Sequence, residues 1–231
     1  IDARCEPEHC VTILGQSKGE SEAVCWKRYL CLDRSMEIME WHFWQQGKQN
    51  GLEVTTFASE AFQRHYLYPF PYRDTVETYS DRYRVDPYLA IAVIKTESKF
   101  QDGVHSHRGA IGLMQLMPDT AEWIAGQLED PSYSIEAIHE PERNIRYGIW
   151  YLSTLQREFD GNDVLALAAY NAGRGNVQSW IREYGWPADF HDIDAIPYQE
   201  TREYVRKVLL TEHKYRSLYP EAGGTGSSMK D

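Results

Sequence analysis

From residue 74 almost to the C-terminus, apolar side chains recur three and four positions apart, the period of helices with one buried face. The spacing predicts helices over 74–84, 87–100, 118–128, 142–159 and 163–171. Another is marked by Val177, Trp180, Ile181 and Tyr184, and a long charged one covers 200–219. Ile145, Ile149 and Leu152 share a face of the fourth, while the fifth is alanine-rich, suited to tight burial, and closed by Gly173. Tyr204, Val208, Leu209 and Leu210 anchor the last helix. Strand signals are scarce, and no fixed-period repeat is present.

The pattern changes around residues 50–70. Before it lie all four cysteines, the cluster Trp41-His42-Phe43-Trp44, and turn punctuation at Gly47 and Asn50-Gly51. Residues 25–44 allow a helix with one apolar face, and the aromatic cluster reads as packing rather than as a sugar platform. The Gly/Ser-rich tail 223–231 reads as disordered.

The helix over 87–100 carries the chain's most informative residue. Asp86 suits an N-cap and Pro87 the first helical position. Ala90, Val93, Ile94 and Glu97 then fall on one stripe, with Lys95 and Lys99 off it. Glutamate on an apolar stripe is costly to ionise, so it can stay protonated near neutral pH and serve as a general acid. An equally open reading is a structural ion pair, or a solvated helix end. The glycine-rich run Gly109-Ala110-Ile111-Gly112-Leu113-Met114-Gln115-Leu116-Met117-Pro118 follows, a stretch that can bring backbone close to a bulky ligand. An enclosed acid beside a cleft is the core of glycosidic cleavage.

Composition narrows the classes. A net charge of -11 argues against general nucleic-acid binding, though it leaves the local sign of a cleft open. No apolar run is long enough to span a membrane. No signal peptide is visible, and a start at Ile1 leaves the compartment open. Cys5, Cys10, Cys25 and Cys31 fit two disulfides in an oxidising compartment, with three possible pairings. Free thiols and a zinc site with His9 are the alternatives, the second lacking close C-x-x-C pairs. His105 and His107 lack carboxylate partners for a metal. No metal and no cofactor is expected.

Five motifs occur in a recognisable order: Glu97-Ser98; the Gly109–Pro118 run; Asn144-Ile145 with Gly148 and Tyr151-Leu152; Ala169-Tyr170-Asn171-Ala172-Gly173; and Ile196-Pro197-Tyr198 with Glu200-Thr201 and Tyr204-Val205. Over residues 68–218 the chain resembles the soluble lytic transglycosylases. The resemblance implies a mostly α, lysozyme-like helical domain with a glycan-binding cleft, preceded by a small cysteine-containing segment of unknown fold. The expected division is 1–66, 67–219 and a flexible tail 220–231. Implied roles place Glu97 as the single catalytic acid/base and Ser106 as its hydrogen-bonding partner. Gln115 and Met117 would line the cleft, Tyr170 would face the reacting sugar, and Asn171, Tyr198 and Glu200 would touch substrate. Competing readings make Met114 and Met117 core, the first of them by preference, Asn171 a helix cap, Ser106 a loop cap and Glu200 a helix N-terminal carboxylate.

The implied reaction cleaves the β-1,4 bond between MurNAc and GlcNAc in peptidoglycan without water, leaving a 1,6-anhydro end, so the enzyme is formally a lyase. An inverting hydrolase needs a second carboxylate about 6.5–9.5 Å away. Between Glu97 and Pro118 the only other acid is Asp102, and Leu116-Met117-Pro118 stands where goose-type lysozymes carry an aspartate. Such a hydrolase is the alternative, together with a non-catalytic peptidoglycan-binding protein. The expected partner is the glycan strand, with a monomeric chain working outside the cytoplasm.

Overall fold

The structure is a computed structural model that describes residues 10–16, 25–31, 53–58 and 63–220. The chain forms two compact units, Ile1–Pro69 and Phe70–Asp231. Cys5, His9, the Trp41–Trp44 cluster, Gly47, Asn50-Gly51 and the tail 223–231 lie outside the described residues.

In the first unit three antiparallel strands, β1 (Cys10–Gln16), β2 (Cys25–Cys31) and β3 (Glu53–Ala58), pair in the order β2-β1-β3. Cys10 lies opposite Cys31 and Gln16 opposite Cys25, while Val11 faces Ala58. This corrects the helical reading of 25–44 over its first seven residues. Short apolar runs fit either period, and pairing with the β-branched run Val11-Thr12-Ile13 decides for strand.

The second unit is helical, as the periodicity predicts: α1 (Arg73–Tyr83), α2 (Pro87–Ser98), α3 (Pro118–Gln127), α4 (Pro141–Glu158), α5 (Asp163–Ala172), α6 (Arg174–Tyr184) and α7 (Gln199–Leu218). Asp86 caps α2 by accepting from Tyr88 N at 2.8 Å, with Pro87 at the first helical position. Asn162 caps α5, accepting from Leu165 N at 3.0 Å.

The amphipathic reading of α2 needs correction. Every residue from Tyr88 to Ile94 is buried, so the helix is apolar all round and forms the centre of the unit between α1 and α7. The Tyr88 hydroxyl donates to Tyr219 O, tying the start of α2 to the end of α7. Beyond Ile94 the last turn of α2, where Glu97 sits, approaches the surface.

The turn after α3 is held by Asp130, a carboxylate 6% exposed. It accepts from Ser132 Oγ at 2.6 Å, Tyr147 Oη at 2.9 Å and Arg143 Nη1 at 3.1 Å. The Ser132 hydroxyl above all, then Tyr147 and Arg143, hold the carboxyl down at about 2. A depressed carboxyl adds stability above its ordinary value that is lost as pH falls through the folded value. Asp130→Asn is therefore expected to cost on the order of 2 kcal/mol at pH 7. In urea titrations that difference should shrink between pH 4 and pH 2, where the wild type loses the same stabilisation.

Candidate active site

The wall of the site is the loop joining α2 to α3. Lys99 and Phe100, both with positive φ (51° and 68°), turn the chain out of α2. Short antiparallel bridges then fold the loop on itself, Ile111 exchanging backbone hydrogen bonds with Leu116 at 2.9 and 3.0 Å. Gly112 N donates to Val104 O at 3.0 Å. Asn144, fully buried on α4, clamps the fold: its Nδ2 donates to Ile111 O and Ile138 O at 3.0 Å each, and its Oδ1 accepts from Met114 N at 2.7 Å. Gly112 has φ +76° and lies so close that a Cβ there would sit 2.4 Å from Asn144 Nδ2. Met114 is fully buried and fills the space above Gly148, as the packing reading expects.

Glu97 stands at the last turn of α2 against this wall. Burial raises its carboxyl to about 7, against a hydrogen bond from Tyr204 and the positive charge of Lys207, which both pull it down. The Tyr204 hydroxyl is buried, and no partner meets it in ordinary hydrogen-bond geometry, so its bond to Glu97 is a loose one. Its own proton is held very tightly, chiefly by burial and then by the negative charge of Glu97. Tyr170 is raised by burial first and by the same charge, which places it in the same pocket of low polarity. Its hydroxyl donates to Met114 O at 2.8 Å, so the ring is fastened to the loop.

The other residues singled out by the sequence divide between loop and cavity. Ser106 Oγ accepts from Ala110 N at 2.9 Å and makes no hydrogen bond to Glu97, which leaves its proton available. Gln115, at φ 48°, donates to Gly112 O at 2.8 Å and Val104 O at 3.2 Å, holding the loop's shape. Met117 is exposed at the start of α3. Asn171, Tyr198 and Glu200 come together around a cavity of 480 Å³, with Arg108 and Thr201 beside them. Thr201 Oγ1 donates to Asn171 Oδ1 at 2.8 Å, Tyr198 packs edge-on against Trp180, and Glu200 faces Arg108 at 3.9 Å. Among the described residues no three metal-ligating side chains gather, and no helix is long and apolar enough to cross a membrane.

Sequence reading passed over the roles of Tyr204, Lys207, Asn144 and Arg108. A signal existed for two of them: Glu200, Tyr204 and Lys207 are spaced four and three apart, one face of α7. Asn144 was visible only as part of a motif, because what a buried amide clamps is set by a loop thirty residues away in the chain.

Tyr204 gives a direct check. Phenylalanine there removes a donor to the ionised form, so Glu97 should hold its proton to higher pH than about 7. A pH–rate profile of Tyr204→Phe should show its alkaline limb moved upward, and an unmoved limb would count against the bond.

Comparison with known proteins fits this geometry. The soluble lytic murein transglycosylase of Escherichia coli is 35% identical over 151 residues, covering 64% of this chain and 23% of its own length. The crystal structure of the 70 kDa soluble lytic transglycosylase from Escherichia coli superposes with a TM-score of 0.63 at 31% identity, over 71% of this chain and 27% of that one. An inactive mutant of the lytic transglycosylase Slt from Pseudomonas aeruginosa gives 0.62 at 32% identity, over 80% and 29%. The chain thus spans about a quarter of the length of these relatives. The family model described as the transglycosylase SLT domain matches residues 74–193, from the second residue of α1 to the turn before α7, and the chain belongs to that family.

Proposed function

We propose that the chain cleaves the β-1,4 bond between MurNAc and GlcNAc of peptidoglycan by lytic transglycosylation, with Glu97 as its one acid/base. The observation that carries this reading is a carboxyl raised to about 7 whose perturbing neighbours are a tyrosine and a lysine, with no second carboxylate among them. Protonated Glu97 donates to the glycosidic oxygen as the bond to the anomeric carbon breaks through an oxocarbenium-like state, assisted by the MurNAc N-acetyl group. The resulting carboxylate removes the proton from that sugar's own C6 hydroxyl, whose oxygen bonds the anomeric carbon. Glu97 ends protonated, no water is consumed, and the product carries a 1,6-anhydro end.

Each half-reaction asks something different of the site. Burial favours the acid that starts the cycle, whereas Tyr204 and Lys207 stabilise the carboxylate formed midway. A carboxyl poised near the working pH does both at low cost. Asp102, the nearest acid in sequence, acts instead on Tyr72. Tyr170 keeps the loop against the reacting ring through Met114. Ser106, whose hydroxyl accepts from Ala110 N, keeps its proton for a donor role toward Glu97 or the substrate, as the family resemblance implies.

Mass spectrometry of fragments released from purified cell walls tests the reading. Anhydro-ended muropeptides, lighter by one water than hydrolysed ones, are expected. Reducing ends alone would make the chain a hydrolase of the goose-lysozyme kind, and wall binding without release would make it a pure binder. The relatives' names pair the same domain with soluble and with membrane-bound proteins. Peptidoglycan as substrate places the proposed action outside the cytoplasm.

A further inference from the structure

The sequence offers His105 only His107 as a close partner, two residues on; the fold offers His139. His139 ends the single-turn 3₁₀ helix Glu136–His139 that leads into α4. Its ring centre lies 4.8 Å from that of His105, with the two planes tilted by 46°. His105 is exposed and His139 half-buried, so solvent reaches the pair. Among the described residues no hydrogen bond or ion pair takes up a nitrogen of either ring.

Both rings hang from backbone that a single side chain fixes. His105 is bridged to Ile111, whose carbonyl accepts from Asn144 Nδ2 at 3.0 Å. His139 follows Ile138, whose carbonyl accepts from the same nitrogen at 3.0 Å. Val104, just before His105, accepts from Gly112 N at 3.0 Å. Two histidines on mobile segments would have to be ordered before sharing a ligand, at a cost in affinity. Here their backbones are already held in place.

The separation of the rings suits a shared ion. A metal about 2.0–2.1 Å from an imidazole nitrogen, in the ring plane, lies about 3.2 Å from the ring centre. Two imidazoles meeting one ion at right angles or at the tetrahedral angle then have centres about 4.5–5.2 Å apart. The observed 4.8 Å falls inside that interval. Imidazole is a ligand of zinc, copper and nickel, and a poor one for magnesium or calcium. Among the described residues no third ligating side chain joins the pair, so the remaining positions on an ion belong to water.

We propose that His105 and His139 together bind one divalent transition-metal ion of the zinc and nickel class. Ser106 follows His105 directly, so the bound ion fastens the segment carrying that hydroxyl to the turn before α4. The site stands apart from the chemistry at Glu97 and holds whether or not the lytic reading does.

The test titrates the full chain, carrying isotopically labelled histidines, with zinc chloride at neutral pH. Imidazole nitrogen resonances report each ring by name, whatever the cysteines bind. The signals of His105 and His139 should move together along one binding curve. His105→Gln should weaken the response of His139 at least about tenfold in zinc concentration, and His139→Gln should do the same to His105. Amide exchange at Ser106 and Gly112 should slow with zinc in the wild type and stay unchanged in both variants. An equal response of His139 with and without His105 overturns the proposal, as does no response of either ring at millimolar zinc. Unaltered exchange with both rings bound would overturn the fastening of the Ser106 segment. The His105 side chain is exposed, so His105→Gln keeps the fold and decides the matter by itself should His139→Gln not fold.

Discussion

Glu97→Gln is expected to abolish turnover and, in the same molecule, to raise stability above neutral pH. If Glu97 is the proton donor and acceptor proposed above, its loss should cost at least about a thousandfold in rate. The stability gain follows from linkage. The folded carboxyl titrates at about 7, whereas in the unfolded chain it titrates near 4.3. Between those values the folded state holds a proton that the unfolded state has lost, so stability falls as pH rises through the window. Above it the wild type carries a penalty of up to about 3 kcal/mol. A neutral amide of the same shape has no such penalty. Urea titrations at pH 8 should show the variant more stable by that order, and at pH 4 the two should coincide. A variant no more stable at pH 8 would mean that the carboxyl is solvated and that the acid role lacks its physical basis.

Asn144→Ala is expected to have the second largest effect, on stability rather than chemistry alone. It would leave Met114 N and Ile138 O without partners inside the unit and remove one of the two donors to Ile111 O, which keeps Leu116 N. Each orphaned buried group costs about 1–3 kcal/mol, so a total loss on the order of 3–4 kcal/mol is expected once water reaches some of them. Hydrogen exchange should rise first at residues 104–116, since their bridges are what the amide holds. Gly112→Ala should be comparably damaging, because the new methyl meets the Asn144 side chain at 2.4 Å and the backbone there has φ +76°. Combining the two should cost less than their sum, for the alanine at 144 removes the clash while the strain at φ +76° stays. Strict additivity would show that the glycine is needed for its backbone conformation only.

The helical unit could be read in the sequence because its signals are local. Asp86 and Pro87 announce the start of α2, Gly173 the end of α5, and each apolar stripe repeats within one element. What failed was the environment of α2. Its stripe looked one-sided because Lys95 and Lys99 lie in the last turn and beyond, whereas seven consecutive residues before them are enclosed by other helices. The sheet was missed for a different reason: Cys25–Cys31 takes its period from pairing with β1, a partner nine residues upstream at the nearest point. The site was legible as a set of residue types and not as an arrangement. Glu97 stood out by its stripe, but its neighbours Tyr204 and Lys207 come from α7, more than a hundred residues later. The separate placement of Glu97's pocket and the Asn171–Glu200 cavity depends on how α5 and α7 pack, which no spacing along one helix records.

The clamp from Asn144 has a consequence for recognition. A cleft wall secured by three internal bonds from a long helix has its shape before any strand arrives, so docking need not order it. Immobilising even a few side chains at an interface costs about 0.5–1.5 kcal/mol each. A wall built in advance leaves that share of the affinity for the proposed glycan, where it would help deform the ring toward its reactive shape.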